Sequence, residues 1–315
     1  MADLLAIHRH AVRARLTGER LTQLARAGRI GFHPDARGFE PAIAAAVLAM
    51  RPEDHVFPGA REHTAFLARG IDLERYVASA FGAQHDPMSG HAPPAQLSAR
   101  DLRIASPSGL VSNHLTHATG FAWAGVLRRD SIAVLTLFGA SAADAGDFHS
   151  AVNFAGTTKA PIVFFCRSDR TRNGQAPRAI ESVADKGIAY GVESTTCSAD
   201  DPASVATAVE QALARALAGE GPTLIEAIRE GELDPLDALK ANLIRDGAWD
   251  SSRDLELRRE AMSEIEAAVK RATQAGPPAR EAIFEHVYAQ LPPHLERQRD
   301  SLLASPPAPA TDPSR

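Results

Sequence analysis

A chain of 315 residues, 44% of them hydrophobic, can bury a sizeable core as one large α/β domain or two smaller ones. Its net charge of -5 leaves no basic surplus to hold a phosphate backbone, so nucleic-acid binding is not expected. Cys166 and Cys197 lack the spacing of a zinc site or a disulfide framework, and no run approaches the roughly 18 apolar residues that span a bilayer; a protein of the reducing cytoplasm without a membrane anchor is expected.

Apolar residues recur at helical spacing from Leu4 to Leu24 and predict one or two helices that end at Gly28. Phe39 to Met50 predicts an alanine-rich helix with Pro41 in its first turn, where a missing amide donor costs nothing. Another helix is expected from Leu73 to Phe81, and the Gly, Pro, Ser and His residues from Gly82 to Ser98 mark a long loop of the kind that serves a site. Ile132 to Phe138 is a continuous apolar run ending at Gly139, as in a parallel strand buried on both faces. A helical stretch from Gly146 to Ala155 and a second apolar run, Pro161 to Cys166, complete a βαβ unit. Tyr190 to Thr196 and Thr223 to Ile228 predict two more strands, with an amphipathic helix from Ala203 to Ala218 between them.

Successive βα units predict an α/β fold, a doubly wound and mainly parallel sheet flanked by helices, whose ligands bind beyond the carboxyl ends of the strands. That rule places Gly139 to Asp147 and Arg167 to Gly174 at the site. From Leu236 the chain turns helical and charged, with a further helix around Ile283 to Leu291, and the proline-rich end reads as disordered. The organisation expected is an N-terminal helical segment over 1–30, an α/β domain over 31–235, a helical extension over 236–304 and a disordered tail over 305–315.

The order and spacing of "RAGRIGF", "GFEPA", "REHTAFLARG", "GLVSNHLTHATGFAWA", "LTLFGASAADAGDFHSAVNFAGTTKAPIVFFCRSD" and "GPTLIEAI" resemble the alpha subunits of branched-chain 2-oxo acid, pyruvate and acetoin dehydrogenases, from about Leu24 to Gln298. The resemblance implies the thiamine-diphosphate-binding fold and a partner beta subunit, in an assembly of two alpha and two beta chains. It also implies thiamine diphosphate at the subunit interface, anchored by magnesium, for oxidative decarboxylation of a 2-oxo acid. The acyl group would pass to a lipoyl-bearing acyltransferase. In such a system the cofactor does the hard chemistry while protein groups bind and orient it.

Carried over residue by residue, the resemblance implies that Arg61 and Arg167 hold the diphosphate, for which a planar guanidinium fork is suited. Gly109, Leu110 and Val111 match the segment that lines the aminopyrimidine ring. Gly139, Ser141 and Ala142 fall in the family's Gly-acid-Gly-Ala motif, but Ala140 stands where the magnesium carboxylate belongs. Asp169 stands where the family has a ligating asparagine, so a carboxylate near the metal is kept at another position; alternatively it caps a turn, as Asp often does. His63 matches a histidine that can transfer protons near the substrate, and His91, His114 and His117 are further candidates for the cleft. After Ile228 the family's His- and Ser-bearing loop is essentially deleted. A non-catalytic relative acting as scaffold or regulator through the retained subunit interface is the alternative expectation.

Overall fold

The computed structural model describes residues 2–34, 36–94, 96–171 and 181–306. Five strands, β1 (His55–Phe57), β2 (Val134–Gly139), β3 (Ile162–Asp169), β4 (Glu193–Ser198) and β5 (Thr223–Arg229), form one sheet in the order β1-β2-β3-β5-β4, with every neighbouring pair parallel. The strand period of two explains the continuous apolar runs, because both faces are covered. Leu135 and Leu137 of β2, Val163 and Phe165 of β3, and Ile225 and Ala227 of β5 enter one core cluster. Val134, Phe138, Ile162, Phe164, Cys166 and Leu224 enter a second cluster on the opposite face.

The first face carries α1 (Leu4–Arg26), α2 (Glu40–Leu48), α3 (His63–Ala68) and α4 (Leu73–Phe81). The second carries α5 (Asn113–Arg128) and α6 (Gly146–Thr158), which pack on each other and on β2 and β3. A short α7 (Asp185–Ile188) precedes β4, and α8 (Pro202–Leu217) lies against α2 on the first face. The doubly wound sheet flanked by helices expected from the sequence is therefore the fold observed. Gly156 is fixed by packing: a Cβ there would come within 2.4 Å of the Tyr190 carbonyl, so α6 could not sit so close to the turn before β4.

Beyond the sheet run α9 (Pro235–Arg245), the long α10 (Ser251–Ala275) and α11 (Pro293–Ala304). The helix expected around Ile283 to Leu291 is absent; a single 3-10 turn over Arg280–Phe284 stands there, and helix resumes only at Pro293. Residues 285–290 are exposed and bury no face, so no packing stabilises a helix, and the Pro292-Pro293 pair permits one to start but not to pass through. Of the expected disordered tail, residues 307–315 lie outside the described residues. Strand β1 escaped periodicity altogether. β1 has only three residues, too few to show a pattern, and it is held at the sheet edge by pairing with β2.

Helix α1 clasps the two ends of the chain together through buried charges. Its Arg15 donates to Glu40 at 2.5 and 2.9 Å and to Asp234 at 3.0 and 3.1 Å, a doubly forked guanidinium. One turn and more towards the N-terminus, the His8 ring meets Asp254 at 3.1 Å, while Lys240 and Arg258 donate to the other oxygen of Asp254 at 2.6 and 2.9 Å. Burial of Asp254 raises its pKa, but these three partners more than offset that and hold it well below the usual carboxylate range. Asp254→Ala strands the buried His8 and two cations without a counter-charge. A loss of about 3 kcal/mol is expected, read as a lowered thermal midpoint.

His33 is buried with neither ring nitrogen hydrogen-bonded, its ring edge-on to His63 at 5.3 Å. Burial first, and His63 second, push its pKa down from 6.5 to about 3. The unfolded chain thus takes up the proton more readily than the folded one, and His33 costs stability progressively as pH falls from 6.5 towards 3. The urea midpoint is expected to fall with acidification below pH 6.5, and His33→Leu to blunt that fall; a parallel decline in both proteins would exclude His33 as the source.

Candidate functional site

Because the strands are parallel, their carboxyl ends share one edge of the sheet, and a cleft of about 260 Å³ opens there. The turn after β1 contributes Gly59, Ala60, Arg61 and Glu62; the approach to α5 contributes Ser108 to Ser112 and then His114. The end of β2 and the turn after it supply Phe138, Gly139, Ser141 and Ala142, and β3 supplies Arg167. Of the residues expected from the sequence, Arg61, Gly109, Leu110, Val111, Gly139, Ser141, Ala142 and Arg167 are brought together in this one cleft.

The electrostatics are organised around a buried pair that sequence reasoning missed. Glu62, 1% exposed, accepts from Arg167 Nε at 2.8 Å and also from Arg167 Nη2. The guanidinium carbon lies 5.3 Å from the centre of the Phe39 ring, a cation–π contact on its other side. Gly59 makes room for the carboxylate, since a Cβ there would stand 2.5 Å from Glu62 Oε2 and 3.2 Å from the Leu137 carbonyl. Arg61 differs from its neighbour: it is exposed and makes no ion pair or hydrogen bond among the described residues. The cleft therefore has one balanced cation in its floor and one uncompensated cation at its rim.

His114, in the first turn of α5, is 5% exposed, and its Nε2 lies 2.9 Å from the Leu137 carbonyl. Its pKa is lowered, by burial above all, with the Leu137 bond and Glu62 opposing and His117 adding to the effect. On the loop beside it, Leu110 and Val111 present apolar side chains that are 70% and 64% exposed.

Two expected residues sit elsewhere. His63 is 2% exposed and its Nε2 is 2.9 Å from the Ala14 carbonyl, so its ring points into the packing between α3 and α1, away from Arg61. Helix α3 begins at His63, and the helical rotation that starts there carries consecutive side chains in different directions. Asp169 is not part of the cleft wall: its Oδ1 accepts from Thr171 N at 3.1 Å and from Thr171 Oγ1 at 2.6 Å, closing a turn, and its Oδ2 is 3.9 Å from Arg229 Nη1. Among the described residues no group of three or more His, Cys, Asp or Glu could hold a metal ion. His117 is exposed on the outer side of α5, and His91 meets His286 at 6.4 Å, outside the cleft.

A parallel sheet with a cation-bearing cleft beyond its strand ends is the arrangement in which α/β folds commonly bind ligands, and its arginines suit anionic ones. The model of the family described as "Dehydrogenase E1 component" matches residues 8–230, and the chain belongs to that family. It is similar to the 2-oxoisovalerate dehydrogenase subunit alpha of Bacillus subtilis, 31% identical over 316 aligned residues covering 91% of this chain and 96% of the relative. It is also similar to the pyruvate dehydrogenase E1 component subunit alpha of Bacillus subtilis, 29% identical over 94% of this chain and 85% of the relative. The mitochondrial 2-oxoisovalerate dehydrogenase subunit alpha of Mus musculus is 27% identical over 88% of this chain and 69% of its own length. No helix among the described residues is long and apolar enough to cross a membrane.

The buried pair in the cleft floor makes a direct prediction. Glu62→Leu leaves the Arg167 guanidinium buried without a counter-charge and is expected to cost about 3–5 kcal/mol, measured by urea denaturation. Removing both charges together, Glu62→Leu with Arg167→Met, should restore most of that loss. Additive losses in the two single variants and the double variant would show that the pair is not coupled.

Proposed function

We propose that this chain is the alpha-type subunit of a 2-oxo acid dehydrogenase component that, with a beta-type subunit and two copies of each, carries out oxidative decarboxylation of a 2-oxo acid with thiamine diphosphate. The observation that carries this reading is the convergence, in one cleft at the strand ends, of Arg61, Arg167 and the Gly109 to Val111 loop with Gly139, Ser141 and Ala142. Family membership and the relatives' names as dehydrogenase alpha subunits support it; no comparison supports the scaffold alternative. A lipoyl-bearing acyltransferase as acceptor and a cytoplasmic setting belong to the same proposal.

The cleft suits an anionic heteroaromatic cofactor in three respects. Arg61 at the rim offers an unpaired fork to the diphosphate, while Arg167 offers Nη1, the nitrogen not engaged by Glu62. Leu110 and Val111 supply an apolar ledge on which a flat ring can lie, and the buried Nδ1 of His114 has no hydrogen-bond partner among the described residues. When bound, thiamine diphosphate supplies the nucleophilic carbon and the electron sink for loss of carbon dioxide. The protein's own residues fix charge and orientation, and the ledge and strand ends keep one side of the reacting centre apart from water.

Magnesium does not fit the described residues. Position 140 carries a methyl group, and Asp169 is committed to its turn with Thr171 and faces Arg229. The reading therefore gives the metal no ligand from Asp169 and gives His63, turned towards α1, no proton to transfer.

Calorimetric titration of the chain, alone and with its beta-type partner, tests the proposal. Saturable binding of thiamine diphosphate is expected, little changed by adding magnesium and weakened at least tenfold by Arg61→Ala, as loss of a charge-assisted hydrogen bond to phosphate implies. Absence of saturation at millimolar cofactor in the presence of the partner overturns it.

A further inference from the structure

We infer that Nδ1 of His114 is the hydrogen-bond acceptor that recognises an N–H group on the heteroaromatic ring bound in this cleft. The inference rests on the thiamine diphosphate reading above and adds to it a residue and an atom.

A carbonyl oxygen can only accept, so the 2.9 Å contact between His114 Nε2 and the Leu137 carbonyl requires the hydrogen to be on Nε2. In the neutral imidazole that leaves Nδ1 as a bare lone pair. Burial lowers the pKa of the ring, so the neutral form is the one held at neutral pH. Nδ1 is buried and has no hydrogen-bond partner among the described residues, although His114 is a wall residue of the cleft. A buried acceptor without a donor costs free energy comparable to a lost hydrogen bond, which an N–H on a bound ligand would recover.

The surroundings say what that is. The groups facing His114 are Glu62 at the start of α3, His117 one turn further along α5, the Leu137 carbonyl of β2, and Arg61 and Arg167 across the cleft. Glu62 is consumed by Arg167, and the arginines are themselves donors that would repel a protonated imidazole. Of the uncharged side-chain acceptors lining the cleft, Ser108 accepts from Leu110 N and Ser112 donates to the Val111 carbonyl, whereas His114, beside the apolar ledge of Leu110 and Val111, presents a buried acceptor without a partner among the described residues. An apolar face to stack on, an acceptor at its edge and a cation at the rim together describe a flat ring with an N–H donor and an anionic tail. Leu137 anchors the acceptor to the central sheet, so its direction is set before any ligand arrives.

The test compares the native chain with His114→Leu and His114→Gln, each with its beta-type partner, by calorimetric titration with thiamine diphosphate from pH 5.5 to 8, alongside ¹⁵N spectra of the histidine rings. His114→Gln can still donate to Leu137 and accept from the ligand but does not titrate. The native chain is expected to keep its affinity at neutral pH and to lose it towards the acid end of that range, below the ordinary histidine value because burial lowers the pKa of the ring, as protonation turns Nδ1 from acceptor to donor. His114→Gln should bind within a few-fold of native with that acid-side loss removed, and His114→Leu should bind about tenfold more weakly at neutral pH. The Nδ1 resonance, assigned by its absence from His114→Gln, should begin as an unprotonated nitrogen and shift when the cofactor is added. If the native chain binds and His114→Leu, folded by circular dichroism, binds equally with an unmoved Nδ1 resonance, the role of His114 is overturned while the cofactor reading stands. If the native chain shows no binding, both fall together.

Discussion

In a parallel sheet every strand ends on the same side, and the chain must satisfy there all the polar groups that its buried strands cannot. The central strands β2, β3 and β5 send apolar residues alternately into two core clusters, and that leaves little room for polar side chains until the strand ends. At those ends Gly139, Arg167 and the turn after β1 meet. The cleft is therefore a by-product of the sheet's direction before it is a functional device. Its charge balance then follows from burial: a guanidinium lodged against Phe39 needs a carboxylate, Glu62 supplies one, and Gly59 exists in a form that lets that carboxylate approach.

The same geometry separates what the sequence made legible from what it did not. Strands β2, β3 and β5 could be read because buried parallel strands show as unbroken or nearly unbroken apolar runs, whereas β4 is a polar edge strand; α1, α2, α4 and α8 could be read because their apolar residues keep helical spacing. The cleft loops could be read through motif order, and Gly109 to Val111, Gly139, Ser141, Ala142 and both arginines do meet. Adjacency in sequence was a poor guide to direction, however. Arg61, Glu62 and His63 are consecutive, yet one faces solvent, one lies in the cleft floor and one is buried against α1. Nothing in the letters "REH" distinguishes a carboxylate that will pair with a residue 105 positions away. Asp169 was similarly ambiguous, because a turn-closing Asp and a ligating Asp at a strand end have the same neighbours until Thr171 is seen to occupy the oxygen. His114 could have been favoured over His63 by one signal: it opens the helix directly after the Gly109 to Val111 loop, and the first turn of a helix after such a loop points back at the strand ends.

The clasp made by α1 has a consequence for how this molecule comes into being. His8 and Asp254 are 246 residues apart, so a helix made almost first has to wait for a partner made almost last. During synthesis the sheet and its cleft can be assembled from α2 through β5 while the buried stripe of α1 still lacks α9 and α10 as cover. Closing so long a loop costs little more entropy than closing one of half the length, but it must be completed before the new contacts repay it. The site is thus laid down on the part of the chain that closes early, and the seal that makes the fold cooperative is applied at the end.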